Sequence, residues 1–144
     1  MLYVTQRTAP APGDEVRCLG FPLGIESNEA GFPVLRSGKI ASYPLTPTEK
    51  TKSFLVDLRV FKGNSGGPVF FVENNRLVTS AIGRYQNLHF IIGLVSEEKL
   101  YTEAAIGPYS QELRQTQLGL AVVVHASIIL QTIDLLPFPA PQLP

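Results

Sequence analysis

The chain has 144 residues, 44% of them hydrophobic and 17% charged, enough for one domain with a core of its own. Twelve Lys and Arg balance twelve Asp and Glu, so no net field points to nucleic acid or to an anionic membrane. Cys18 is the only cysteine, which excludes an internal disulfide and with it a disulfide-stapled secreted scaffold.

Residues 1–11 contain one basic residue, Arg7, and no apolar run of signal-peptide length. Ala9-Pro10-Ala11-Pro12-Gly13-Asp14 reads as a linker and turn, and residues 1–12 as a linker, or the remnant of a preceding barrel, before the first strand. Short apolar runs separated by Gly, Pro and Asn then predict strands near 16–21, 33–41, 53–60, 68–73, 76–82 and 89–96. In the third of these, Phe54, Val56, Leu58 and Val60 alternate onto one face. Glu73-Asn74-Asn75-Arg76 predicts a hairpin turn between the fourth and fifth. The polar stretch 97–117 reads as loop. The apolar run Leu118–Leu130 is too short to span a bilayer and reads as part of a buried helix over 119–135. Residues 137–144 are a Pro-rich tail that cannot continue a helix. The element pattern is that of an all-β barrel or sandwich closed by a C-terminal helix.

The segment that carries chemistry is Gly63-Asn64-Ser65-Gly66-Gly67-Pro68. A serine hydroxyl is a weak nucleophile that must be exposed, given a base, and backed by donors for a developing oxyanion. Gly63 lets the backbone turn so that its N–H and that of Ser65 face one point, while Gly66 and Gly67 carry no side chain to crowd a substrate. The segment also satisfies G-x-S-x-G through Gly63, Ser65 and Gly67. That motif needs a helix straight after the serine. Here Pro68-Val69-Phe70-Phe71-Val72 follows, a β-rich run that rejects it.

Gly-Asn-Ser-Gly-Gly-Pro resembles the active-site signature of trypsin-like, chymotrypsin-fold serine proteases, in the form common in the HtrA-type bacterial branch. Gly13-Asp14-Glu15-Val16 with Leu19-Gly20-Phe21-Pro22 resembles the opening strand of that family's second barrel, and Ser37-Gly38-Lys39-Ile40-Ala41 the next. Asp57 matches an aspartate common in the branch, and Ile91-Ile92-Gly93-Leu94-Val95-Ser96 is similar to the strand beside the primary specificity pocket. The resemblance covers roughly residues 13–135. It implies an antiparallel Greek-key β-barrel over 13–136 with a C-terminal helix, one barrel of a double-barrel endopeptidase.

By that resemblance Ser65 is the nucleophile, Gly63 an oxyanion-hole donor and Asn64 part of the nucleophile loop. Arg59, Val95, Ser96 and Glu97 are the substrate-binding candidates. Arg59 stands six residues before the nucleophile, where the floor of the pocket commonly lies, and a cation there would favour acidic substrates. Ser96-Glu97-Glu98 would pair with the substrate backbone as an added strand. The pattern breaks at the base: the family order is His, Asp, Ser, whereas His89 and His125, the only histidines, both follow Ser65. Asp57 has no histidine to orient and reads as a structural acid beneath the loop. Lys62 reads as a solvated loop residue and Cys18 as a small buried apolar one.

Two functions follow as expectations. The first is a serine endopeptidase half acting through Ser65, with the first barrel supplied in cis or in trans. The second is a protease-like module that binds polypeptide without cleaving it. No cofactor, no metal, no nucleic acid and no membrane is expected in either case. The single cysteine fits a bacterial cytoplasmic or periplasmic protein.

Overall fold

A computed structural model of the chain describes residues 9–79, 84–106 and 111–137. The strands are β1 (Glu15–Gly20), β2 (Val34–Ile40), β3 (Ser53–Asp57), β4 (Pro68–Thr79), β5 (Arg84–Ile106) and β6 (Gln111–His125), followed by one helix, α1 (Ala126–Asp134). All pairings are antiparallel, and the strands close into a barrel in the order β1-β2-β3-β6-β5-β4. Strands β1 to β3 are sequential neighbours, and β4 returns to lie beside β1, which is the Greek-key connection. The expected all-β Greek-key barrel with a C-terminal helix is therefore the observed architecture.

Alternation builds the core. Val16 and Cys18 of β1, Phe54 and Val56 of β3, Val69 of β4, Val95 of β5 and Ala121 and Val123 of β6 all point inward. Leu58 and Val60 continue the inward register of β3 for three residues past its last ladder bond. Phe71 is among the largest fully buried side chains and lies against Phe90, ring centroids 5.1 Å apart. Cys18 is buried and free, and burial pushes its thiol pKa up, with nearby Arg36 acting in the opposite sense.

Three sequence expectations are corrected. The hairpin expected at Glu73–Arg76 is a register shift inside the continuous strand β4, whose neighbours Val72 and Glu73 are already paired with β5. The loop expected at 97–117 is instead the outer half of a β5–β6 hairpin, paired from Glu97↔Val122 to Ile106↔Gln111. The helix expected over 119–135 begins only at Ala126. Residues 119–125 are strand because Val122-Val123-Val124 is β-branched throughout, and Ala121, Val123 and His125 alternate into the barrel. What remains as α1 has no fully buried residue and meets β5 and β6 through its half-buried first turn, Ala126–Ile129, so it packs on the barrel over less of its length than expected. Leu130 and Ile133 are exposed on it. The expected linker survives in part as the turn at 11–14, where the Ala11 N–H donates to Asp14 Oδ2 at 2.8 Å. Residues 1–8 of that linker and 138–144 of the expected tail lie outside the described residues.

Candidate functional site around Ser65

The Ser65 loop connects the end of β3 to β4 and is pinned from three sides. From within, Asn64 is buried, 1% exposed, and its Oδ1 accepts the Phe61 N–H at 2.9 Å. The Asn64 N–H donates to the Phe61 carbonyl at 2.9 Å, and the Gly67 N–H to the Asn64 carbonyl at 3.0 Å. Below, the Phe21 N–H donates to the Gly63 carbonyl at 3.1 Å and the Leu23 N–H to the Lys62 carbonyl at 2.7 Å. Above, the Gly66 N–H reaches the Val95 carbonyl at 2.7 Å and the Val95 N–H the Gly67 carbonyl at 2.9 Å. Asn64, a candidate for the reacting loop, is thus its internal brace, with its side chain turned away from solvent.

The glycines answer to this crowding. Gly63 has φ +96°, and a Cβ there would fall on the Phe21 carbonyl oxygen. At Gly67 a Cβ would strike the carbonyl oxygens of Leu19 and Asn64.

Ser65 itself is exposed, and its hydroxyl donates to the Ser96 carbonyl at 2.9 Å. That acceptor is available because the β5–β6 register shifts between Val95 and Glu97, leaving Ser96 as the extra residue of a bulge. A buried brace, glycines at close approach, and a bulge together aim one serine at one carbonyl. Among the described residues the Gly63 and Ser65 N–H groups donate to nothing.

Two cavities meet at Ser65. The larger, about 510 Å³, is lined by Val60, Phe61 and Lys62 from the loop, Ser96 to Glu98 from β5, and Gln115 and Gln117 from β6. The second, about 410 Å³, lies between Gly20, Phe21 and the glycines of the loop. Of the substrate-binding candidates, Ser96 and Glu97 line the larger cavity with Ser65. Val95 contributes to its wall while its side chain is buried in the core. Arg59 is not in the lining. Its guanidinium is exposed, donates to Gln117 Oε1 at 2.8 and 3.2 Å, and lies 5.5 Å from the centre of the Phe61 ring. The expected cation on the pocket floor is therefore beside the cavity, and the argument for acidic substrates loses its geometric basis. Asp57, expected as a structural acid beneath the loop, is exposed on β3, paired with Lys39 and Leu120, and makes no side-chain hydrogen bond to the Ser65 loop among the described residues.

Neither histidine lines a cavity that Ser65 lines. His89 is an exposed residue of β5. His125 closes β6, its ring 4.8 Å from Phe54, in the wall of a separate apolar cavity with Ala126 and Ser127. Burial holds its pKa below the ordinary histidine value, so it is neutral at pH 7. Among the described residues no group of three or more His, Cys, Asp or Glu is placed to hold a metal ion. No described helix is long and apolar enough to cross a membrane.

Sequence reasoning expected strand addition at Ser96-Glu97-Glu98 but missed that the open edge of β5 runs on beyond Glu98. Its pairing with β4 ends at Pro68↔Leu94, and beyond it Val95 is held by Gly66 and Gly67. From Glu97 to Ile106 the strand pairs with β6 alone, so among the described residues its other edge meets no strand. Glu97-Glu98-Lys99-Leu100-Tyr101-Thr102-Glu103 shows no alternation of charged and apolar residues that would have marked it as a strand. No protein-family model, no curated protein and no solved structure matches this chain.

Proposed function

We propose that this chain is a protein-binding module that keeps a protease-like barrel and nucleophile loop without the chemistry. It holds an extended polypeptide as an added strand along the edge of β5 that starts beside Ser65. The unpaired β5 edge supports this reading above all. A free row of backbone N–H and C=O groups is a template for strand addition, and the cavity of about 510 Å³ at its foot gives one side chain of the guest a place to enter. The Ser65 hydroxyl is engaged by a backbone carbonyl, which accepts its hydrogen bond but takes no proton. Segment 21–35 beside the loop exposes Phe21, Leu23, Ile25, Phe32 and Leu35, apolar surface of the kind that partners cover.

One observation favours the other reading, an endopeptidase half completed by a base from elsewhere. The unbonded N–H groups of Gly63 and Ser65 are the donors an oxyanion would need.

Peptide binding tests the proposal. Fluorescein-labelled heptapeptide libraries, each with one residue fixed at the centre, are titrated by anisotropy, and the best binder is followed by amide chemical shifts. Shifts concentrated at residues 95–103, and loss of binding when the peptide backbone is N-methylated at alternate positions, are expected. Ser65→Ala leaves affinity within about twofold, because a strand is held by its backbone groups rather than by one exposed hydroxyl. Absence of binding to the folded chain, or shifts confined to another face, would refute it.

A further inference from the structure

The outer half of the β5–β6 hairpin is a two-stranded ribbon that no third strand joins among the described residues, tied to the barrel at its base by the Arg59–Gln117 hydrogen bonds. β4 leaves β5 at Leu94, and β3 pairs with β6 only from Leu120 to Val124. Two strands alone are marginal in water, and a third or fourth strand is what normally stabilises them. This ribbon also exposes Leu100, Tyr101, Leu113 and Leu118, the last three at about half or more of their surface. An edge of this length and composition calls for a partner.

The sequence of the edge says which partner. When two copies of Lys99-Leu100-Tyr101-Thr102-Glu103 run antiparallel about a two-fold axis at Tyr101, each residue meets a complement. Lys99 opposes Glu103 of the second copy, Glu103 opposes its Lys99, Leu100 opposes Thr102, and Tyr101 faces Tyr101. Lys99, Tyr101 and Glu103 alternate onto one face, so both ion pairs flank the aromatic pair. All three side chains are exposed; Glu103 has Arg114 as its cross-strand neighbour within the ribbon, and no ion pair within 4 Å is formed by Lys99 or Glu103 among the described residues. The register shift between Glu98 and Leu100 is taken up on β6, where Gly119 has φ +71°, so β5 itself stays regular through this segment.

We infer that the outer edge of β5 is a self-pairing surface, on which two copies of this chain join their ribbons into one four-stranded antiparallel sheet with two-fold symmetry. Such an interface is isologous, and the reciprocal Lys99–Glu103 pairs fix its register. It goes beyond the peptide-binding reading and does not require it. Self-pairing and a guest strand use the same backbone groups from Glu97 onward, so each excludes the other there.

Charge reversal tests this without touching the barrel. Sedimentation velocity over a wide concentration range should show a reversible monomer–dimer equilibrium for the native chain. Lys99→Glu places like charges across the interface twice, and so does Glu103→Lys; each should weaken association by roughly tenfold. The double variant Lys99→Glu/Glu103→Lys restores the pairs in swapped order and should recover the native dimer. A native chain that stays monomeric throughout overturns the inference, as does a dimer indifferent to the single reversals or not restored by the swap. Peptide binding is read separately by anisotropy at concentrations where the chain is monomeric, since self-pairing would compete with a guest strand.

Discussion

Gly63→Ala is expected to lower stability by about 3 kcal/mol, read as a fall in Tm of roughly 10 °C, because a Cβ adds both backbone strain and a clash. The strain comes from φ +96°, and the clash is with the Phe21 carbonyl oxygen, which is fixed by the turn at Pro22–Gly24. Relief would require the loop to move away from β1, breaking the bonds from Phe21 to Gly63 and from Leu23 to Lys62. Ser65 would then lose its aim at the Ser96 carbonyl. A thermal melt of the variant checks the prediction, with Gly13→Ala as the comparison. Gly13 also has positive φ, at +90°, but a Cβ there meets nothing within 4 Å. The difference between the two variants isolates the collision from the strain. Equal shifts would show that the loop is less tightly seated on β1 than described.

Phe71→Ala should cost about 3–5 kcal/mol, the range for deleting a buried aromatic side chain and leaving a cavity. Phe71 is 1% exposed, on β4 where the barrel closes against β1, and it pairs across that seam with Val16, which is wholly buried. Its loss removes the ring beneath Phe90 as well. Denaturant unfolding checks the value. The closing β1–β4 seam is only three residue pairs long, Val16↔Phe71 to Cys18↔Val69, so amide exchange there should rise before it rises in β3 or β6.

The barrel was legible because its inward residues announce themselves. Phe54, Val56, Leu58 and Val60 alternate in the sequence and are all buried in the fold. The same rule fails at Val122-Val123-Val124, where a continuous apolar run reads equally as helix or strand. Only the β-branched side chains pointed to strand, and pairing with β3 decided it. The ribbon beyond Glu97 was illegible for the opposite reason. It is paired on one side only and exposed on both faces, so it buries too little to leave an apolar period, and its polarity resembles a loop.

At the site, the sequence located Ser65 and the glycines that seat it, because close backbone approach leaves glycine as the one residue that fits. For Arg59 two signals conflicted: its place six residues before Ser65 implied the pocket floor, while the alternation that buries Leu58 and Val60 turned it outward, and the alternation held. Nor could it show that Asn64 faces inward. The bulge at Ser96, which offers Ser65 its acceptor, arises from a register shift between two strands and has no signature in either alone.

The central claim is that Ser65 belongs to a binding surface and is not an activated nucleophile. Labelling by a fluorophosphonate probe tests this most directly, since such probes react with serines that have a base beside them. The folded native chain should show no modification of Ser65 above the level of the Ser65→Ala variant, read by intact-protein mass spectrometry. Stoichiometric labelling of the native chain that disappears in Ser65→Ala would contradict the account and show Ser65 to be an activated nucleophile.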